Sequence, residues 1–210
     1  MALEKYGQSF KIMAITINGN GTLTGVSVGG LPDGCVDADT LASPLASQGI
    51  TMADSWRLTA NTGSAYNGDL GGGGNASSWA RWNAGGFGQL GTGLTDSSGV
   101  FSFPSTGIYF IIGSFRCTCD NGDFDANVDL RTTTDNGSNY YRVALATVGN
   151  GAANNGNTSH TPSVAFVFDV TNTSTHKFKW TTIGFEGNSN VQGDTGYGFS
   201  SFQVFRLGDT

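Results

Sequence analysis

The segment GVSVG at 25–29 holds Ser27 in Gly-x-Ser-x-Gly spacing, the pattern of a nucleophile elbow. An elbow needs a strand before the serine, a helix after it, and an acid and a histidine brought in later. Here GLPDG follows at 30–34, where a helix cannot start promptly, so no hydrolase is expected. The chain has only two histidines: His160 in a Gly/Asn-rich stretch and His176 at a strand entrance, both read as surface residues. CDNGDFDANVD at 119–129 is dense in carboxylates. Setting Gly122 at the sixth position of a helix-loop-helix calcium loop makes Cys117 the first ligand and Val128 the twelfth, and neither chelates a hard cation. A looser site from Asp120, Asp123 and Asp125 is the remaining metal candidate, against a default of an Asn121-Gly122 turn with solvated acids. Cys117 and Cys119, two soft ligands without a third, are read as core filler. GGGG at 71–74 lacks a following Lys, Ser or Thr and a helix to cap, so it is no phosphate cradle. No cofactor is expected.

Such side chains need elements to position them, and the composition bounds those elements. The chain has 210 residues, 33 of them Gly, with 12% charged and 11% aromatic residues, which describes a folded, loop-rich β protein of one domain with an appendage. A net charge of -6 with only 10 Lys+Arg leaves no electrostatic footprint for nucleic acid or an anionic membrane. Three cysteines do not describe a disulfide framework. The first twelve residues hold no apolar run of signal-peptide length, and Met13 opens MAITINGNG like a start of its own, so a protein made and kept in a cytoplasm is expected.

Residues 1–50 are read as an attachment arm, the alternative being a leader that packs back on its own domain. A candidate hairpin spans 15–28 around Asn18-Gly19-Asn20-Gly21, but Ile15, Ile17, Leu23, Val26, Val28 and Leu31 supply too little apolar surface to fold alone. Residues 51–210 form the head. From Trp56 onward, short β-branched and aromatic runs alternate with turn residues, the pattern of a sandwich or barrel. Strands are predicted near 56–61, 79–83, 99–103, 107–117, 124–133, 140–148, 163–170, 176–185 and 198–207. TGSAYNGDLGGGGNASS (62–78) is predicted to be a mobile loop, and 146–162 a second long one.

The faces of these strands differ. In 124–133, Phe124, Val128 and Leu130 alternate with Asp125, Asn127, Asp129 and Arg131, and 176–185 behaves alike, so both belong to a sheet with a wet side. The runs 108–112, 164–168 and 199–207 are apolar on both faces. Their sheet must be covered twice, once by the opposing sheet and once by copies of the same chain. Phe110, Ile112, Val167, Phe202 and Val204 are assigned to that interface, and Phe101, Phe103, Tyr109, Ile111, Phe166, Phe168 and Trp180 to the core. Trp79, Trp82 and Tyr66 are candidates for a stacking surface or, equally, for covering the end of the barrel.

SSGVFSFPSTGIYFIIGSF (97–115) and GYGFSSFQVFRL (196–207) resemble the family of tumour necrosis factor and the complement C-one-q globular head. Phe101, Phe103, Pro104, Gly107 and Tyr109 fit that family's aromatic run, with Ile111 where the family has Phe, and Phe199, Phe202 and Phe205 fit its last strand. The turn VTNTSTHKF (170–178) departs from the family's Gly-Asp. The resemblance covers roughly 55–210 and implies a two-sheet jelly-roll sandwich that assembles as a homotrimer.

MAITINGNGTLTGVSVGGLPDGCVDADTLA (13–42) looks like the amino terminus of virion-associated proteins of tailed bacteriophages, cyanophages in particular. Together the two resemblances imply a non-enzymatic structural protein on the virion surface, assembled in the host bacterial cytoplasm. Its arm would dock on capsid or tail proteins, and its jelly-roll head would serve as a capsid decoration or short fibre. The alternative is a receptor- or glycan-binding adhesin at a tail-fibre tip, with a host surface receptor as partner.

Overall fold

The computed structural model describes residues 16–17, 23–24, 49–82, 85, 89–150 and 156–210. The chain divides into two compact units, Met1–Gln48 and Gly49–Thr210. In the first, β1 (Thr16–Ile17) pairs antiparallel with β2 (Leu23–Thr24), Thr16 opposite Thr24 and Ile17 opposite Leu23. Ile15, Val26, Ser27, Val28 and Leu31 lie outside the described residues, so the arm and elbow readings do as well.

The head opens with β3 (Met52–Leu58), β4 (Gly68–Asp69), β5 (Trp79–Arg81), β6 (Thr95–Ser97) and β7 (Val100–Ser102). The long central strand β8 (Gly107–Phe115) is followed by β9 (Cys117–Cys119), β10 (Ala126–Thr133), β11 (Tyr141–Val148) and β12 (Thr158–His160). It closes with β13 (Ser163–Val170), β14 (Lys177–Ile183), β15 (Asn190–Val191) and β16 (Ser200–Gly208). One sheet runs β13-β8-β16-β3-β5; the other runs β11-β10-β14-β7-β6, with β4 also paired to β14. The chain crosses between sheets so that the last strand, β16, lies between β3 and β8, and all these pairings are antiparallel. This is a two-sheet jelly-roll sandwich. A small third sheet, β12-β9-β15, extends one end.

Strand alternation produces the core. On β8 the odd residues are buried, so Tyr109, Ile111 and Phe115 face inward while Ile108, Phe110 and Ile112 face out. Phe101 is the hub: its ring lies 5.1 Å from Phe178 in a stacked pair, 5.2 Å from Trp56 and 4.8 Å from Phe202. Trp180 sits 4.7 Å from Phe115 over Gly113, where an added Cβ would meet Trp180 at 2.8 Å. Phe103 packs 4.6 Å from Tyr109 and 5.7 Å from Phe168. Phe166 is partly buried against the same cluster.

Four expectations are corrected. Phe202 and Val204 are fully buried between the sheets and are not on an outer face. Both faces of β16 carry apolar residues, so sequence parity alone could not orient it; Phe205 is the residue that faces out, opposite Phe110. Phe124 is 67% exposed, because β10 begins only at Ala126 and Phe124 falls in the turn before it. Segment 62–78 is pinned rather than free: Leu70 and Ala76 are buried, Leu70 N–H donates to the Trp180 carbonyl, and the Tyr66 hydroxyl donates to the Asp69 carbonyl. The first strand starts at Met52, four residues before Trp56.

Candidate functional site

The two outer faces of the sandwich are chemically opposite. On the β11-β10-β14 side, Asp69 accepts from Lys179 Nζ at 2.7 Å and Thr181 Oγ1 at 2.8 Å, and Lys179 lies 4.0 Å from the Tyr140 ring centre. Arg142 and Arg131 both reach Asp129, at 2.7 and 3.1 Å. This is the wet side that the alternation of 124–133 and 176–185 called for.

The outer face of β13-β8-β16-β3 begins apolar. Val167, Phe110, Phe205 and Ala53 stand in one cross-strand row, each opposite the next. Val167 is 53% exposed, Phe110 and Ile112 are half-buried, and Leu207 is exposed further along β16. No charged side chain occupies that row. Of the five residues assigned to an interface, the fold thus places Phe110, Ile112 and Val167 on one face and removes Phe202 and Val204 from it.

One register step beyond Phe110 and Phe205 the same face turns polar. Gln203 stands opposite Ser55, and Ser201 opposite both Arg57 and Ser114. Trp82, just past β5, donates its backbone N–H to the Ser55 carbonyl at 2.8 Å. Ser55, Trp82, Gly198, Ser201 and Gln203 line an open recess of about 430 Å³. The guanidinium of Arg57 lies 4.7 Å from the Trp82 ring centre. At Gly198 an added Cβ would come within 2.6 Å of the Trp82 ring, so only glycine lets the indole lie against that backbone. Beyond the recess, Tyr197 stacks on Phe199 at 5.7 Å and 14°, and Arg116 lies 4.7 Å over Phe199. Trp82 was a sequence candidate for a stacking surface; Trp79 is instead core, 5.0 Å from Phe202, and Tyr66 is half-buried. Gly198, Ser201 and Gln203 were missed, since their relation to Trp82 exists only once β16 lies beside β3.

The other sequence candidates separate. Asp120 and Asp123 both hold the 186–188 turn, and Asp125 holds the Asn127 side chain. Asp120 accepts from the Asn188 and Asn121 backbone N–H groups, which hold its carboxyl below the ordinary value. Asp123 is buried and accepts from Glu186 N–H, while Asp125 accepts from the Asn127 amide. Among the described residues no group of three His, Cys, Asp or Glu converges on a metal position. Cys117 and Cys119 are buried free thiols; burial first, and the neighbouring Asp123 second, push Cys119 up to about 11. His160 pairs with Cys117 in β12, not in a loop. His176 is buried, not superficial: its ring stacks 5.6 Å from Phe168, with Thr171 and Thr175 hydroxyls at its two nitrogens.

No family model matches the chain, and no curated protein matches it. Among solved structures, murine APRIL at pH 8.5 is similar at a TM-score of 0.49 and 9% identity, over 74% of this chain and 98% of that one. The Eiger TNF of S. frugiperda is similar at a TM-score of 0.49 and 10% identity, over 77% of this chain and 96% of that one. At these identities no residue role passes from either protein to this chain.

Proposed function

We propose that the protein is a non-enzymatic structural protein of a bacteriophage particle, a homotrimer whose jelly-roll heads meet through the outer face of β13-β8-β16-β3. The observation that carries the self-association is the uncharged row Val167–Phe110–Phe205–Ala53 on a sheet whose counterpart is laced with ion pairs. An exposed apolar sheet face is unfavourable in water, and a copy of the same face is an occupant always present at assembly. The virion location, on a capsid or a tail, rests on the resemblance of residues 13–42, with that segment as the docking element. Arms from three protomers would reinforce one another through effective concentration.

Sedimentation equilibrium of the full chain and of residues 49–210 tests the assembly. Both are expected to be trimers, and only the full chain is expected to bind particles lacking the protein. A stable monomer of both at micromolar concentration overturns the trimer, and attachment by 49–210 alone overturns the docking arm.

A further inference from the structure

We propose that the recess beside Trp82 binds an acidic pyranose of a surface polysaccharide, with Arg57 as the receptor of its carboxylate. Among the described residues, Arg81, Arg131, Arg142, Lys179 and Arg206 each reach a carboxylate, in a chain with more acids than bases. Arg57, Arg116 and Lys177 do not; Lys177 is on the other sheet, whereas Arg57 and Arg116 each lie over an aromatic ring on the same outer face. The nearby Asp194 accepts from Gly196 and Tyr197 N–H groups within its own loop. Arg57 Nε is, moreover, buried with no hydrogen-bond partner. Buried donors are nearly always satisfied, and a guanidinium edge offers the two-pronged geometry that a carboxylate fits.

The lining supplies the rest of a sugar's requirements. A pyranose presents C–H groups on one side and hydroxyls around its rim. Trp82 gives an apolar wall, and Ser55, Ser201 and Gln203 give hydroxyl and amide partners at the rim. The volume, about 430 Å³, lies within the range of ligand sites. The stacked Tyr197–Phe199–Arg116 group repeats the same pairing of ring and guanidinium next to Gly198, with Tyr197 66% exposed, so a chain of sugars could continue across it. The site lies at the hydroxyl-bearing end of the same outer face, with Gln203 opposite Ile112 and one register step from the apolar row, so it rests on the trimer meeting through that row and leaving this end uncovered.

The test titrates the full chain with a galacturonic acid tetramer, the matching neutral galactose tetramer, and acetate, at low and at physiological salt. The acidic tetramer is expected to bind, more weakly as salt rises, and to shift the Trp82 indole N–H resonance. Arg57→Gln is expected to lose about tenfold or more in affinity with an unchanged melting curve. Arg57→Lys, which keeps the charge but not the fork, should fall between them. Lys177→Gln, which removes an equal charge from the other sheet, should bind like wild type. The proposal is overturned if the acidic tetramer does not bind or binds no better than the neutral one or acetate. It also fails if Lys177→Gln weakens binding as much as Arg57→Gln does, or if Arg57→Gln dissociates the oligomer, which would make a second copy the occupant.

Discussion

Phe202 and Phe205 are three residues apart on one strand and face opposite ways: Phe202 is fully buried 4.8 Å from Phe101, and Phe205 stands on the outer face opposite Phe110. The two positions should therefore fail differently. Phe202→Ala is expected to cost about 3–5 kcal/mol in denaturant unfolding while leaving the association state of the folded protein intact. Phe205→Asp should leave the monomer's stability nearly unchanged and abolish association in sedimentation. The reverse pattern would restore Phe202 to the interface.

Asp54 is buried on the core side of β3, and its two oxygens bind Arg81 at 2.8 and 3.0 Å while one also accepts from Leu94 N–H at 2.9 Å. Arg81 in turn donates to the Leu94 carbonyl and lies 4.6 Å from the Trp56 ring. Removing one partner strands the other charge. Asp54→Ala should cost about 3–5 kcal/mol, toward the lower end because Arg81 keeps 35% of its side chain in solvent. Urea melts of the two proteins check it; an effect below one-third of that range would mean Arg81 finds another partner.

Gly71 and Gly74 both have positive φ, at 94° and 57°, but differ in surroundings. A Cβ at Gly71 would lie 2.0 Å from Trp79 Cδ1, whereas nothing lies within 4 Å of one at Gly74. Gly71→Ala should displace Trp79 and break its Nε1 bond to the Leu70 carbonyl, costing about 1–3 kcal/mol or more. Gly74→Ala should cost only the left-handed backbone strain, about 1 kcal/mol. Equal, small effects in thermal melts would return 62–78 to the status of a loose loop.

Asp135 organises the turn after β10. Its carboxylate accepts from Thr133 Oγ1 and from the Asn139 backbone and amide, and these bonds hold it down to about 2. A carboxyl depressed below its unfolded value of about 3.9 stabilises the turn above that pH and loses the effect as pH falls through the folded value. Between pH of about 4 and 2, the Gly137 and Asn139 amide resonances should lose their turn-specific positions. Asp135→Asn should remove that titration; its persistence would assign it to another group.

How much of this was legible beforehand varies with the physics involved. Alternation in 124–133 and 176–185 is local, because one side of each strand meets water, so the wet face and the inward Val128, Leu130, Phe178 and Trp180 could be read directly. The aromatic run 101–111 likewise carried its core residues, since Phe101, Tyr109 and Ile111 share one parity with their neighbours. Where both faces are apolar, parity holds no information about direction. Only the opposing sheet decided that Phe202 points in and Phe205 out, because Phe101, Phe178 and Trp180 lie on that side. The recess was beyond any local reading: Ser55 and Gln203 are 148 residues apart and meet only because the last strand inserts beside the first. Composition and periodicity are properties of neighbours along the chain, whereas a surface that gathers Trp82, Arg57, Gly198 and Ser201 is a property of strand order, which long-range packing alone sets.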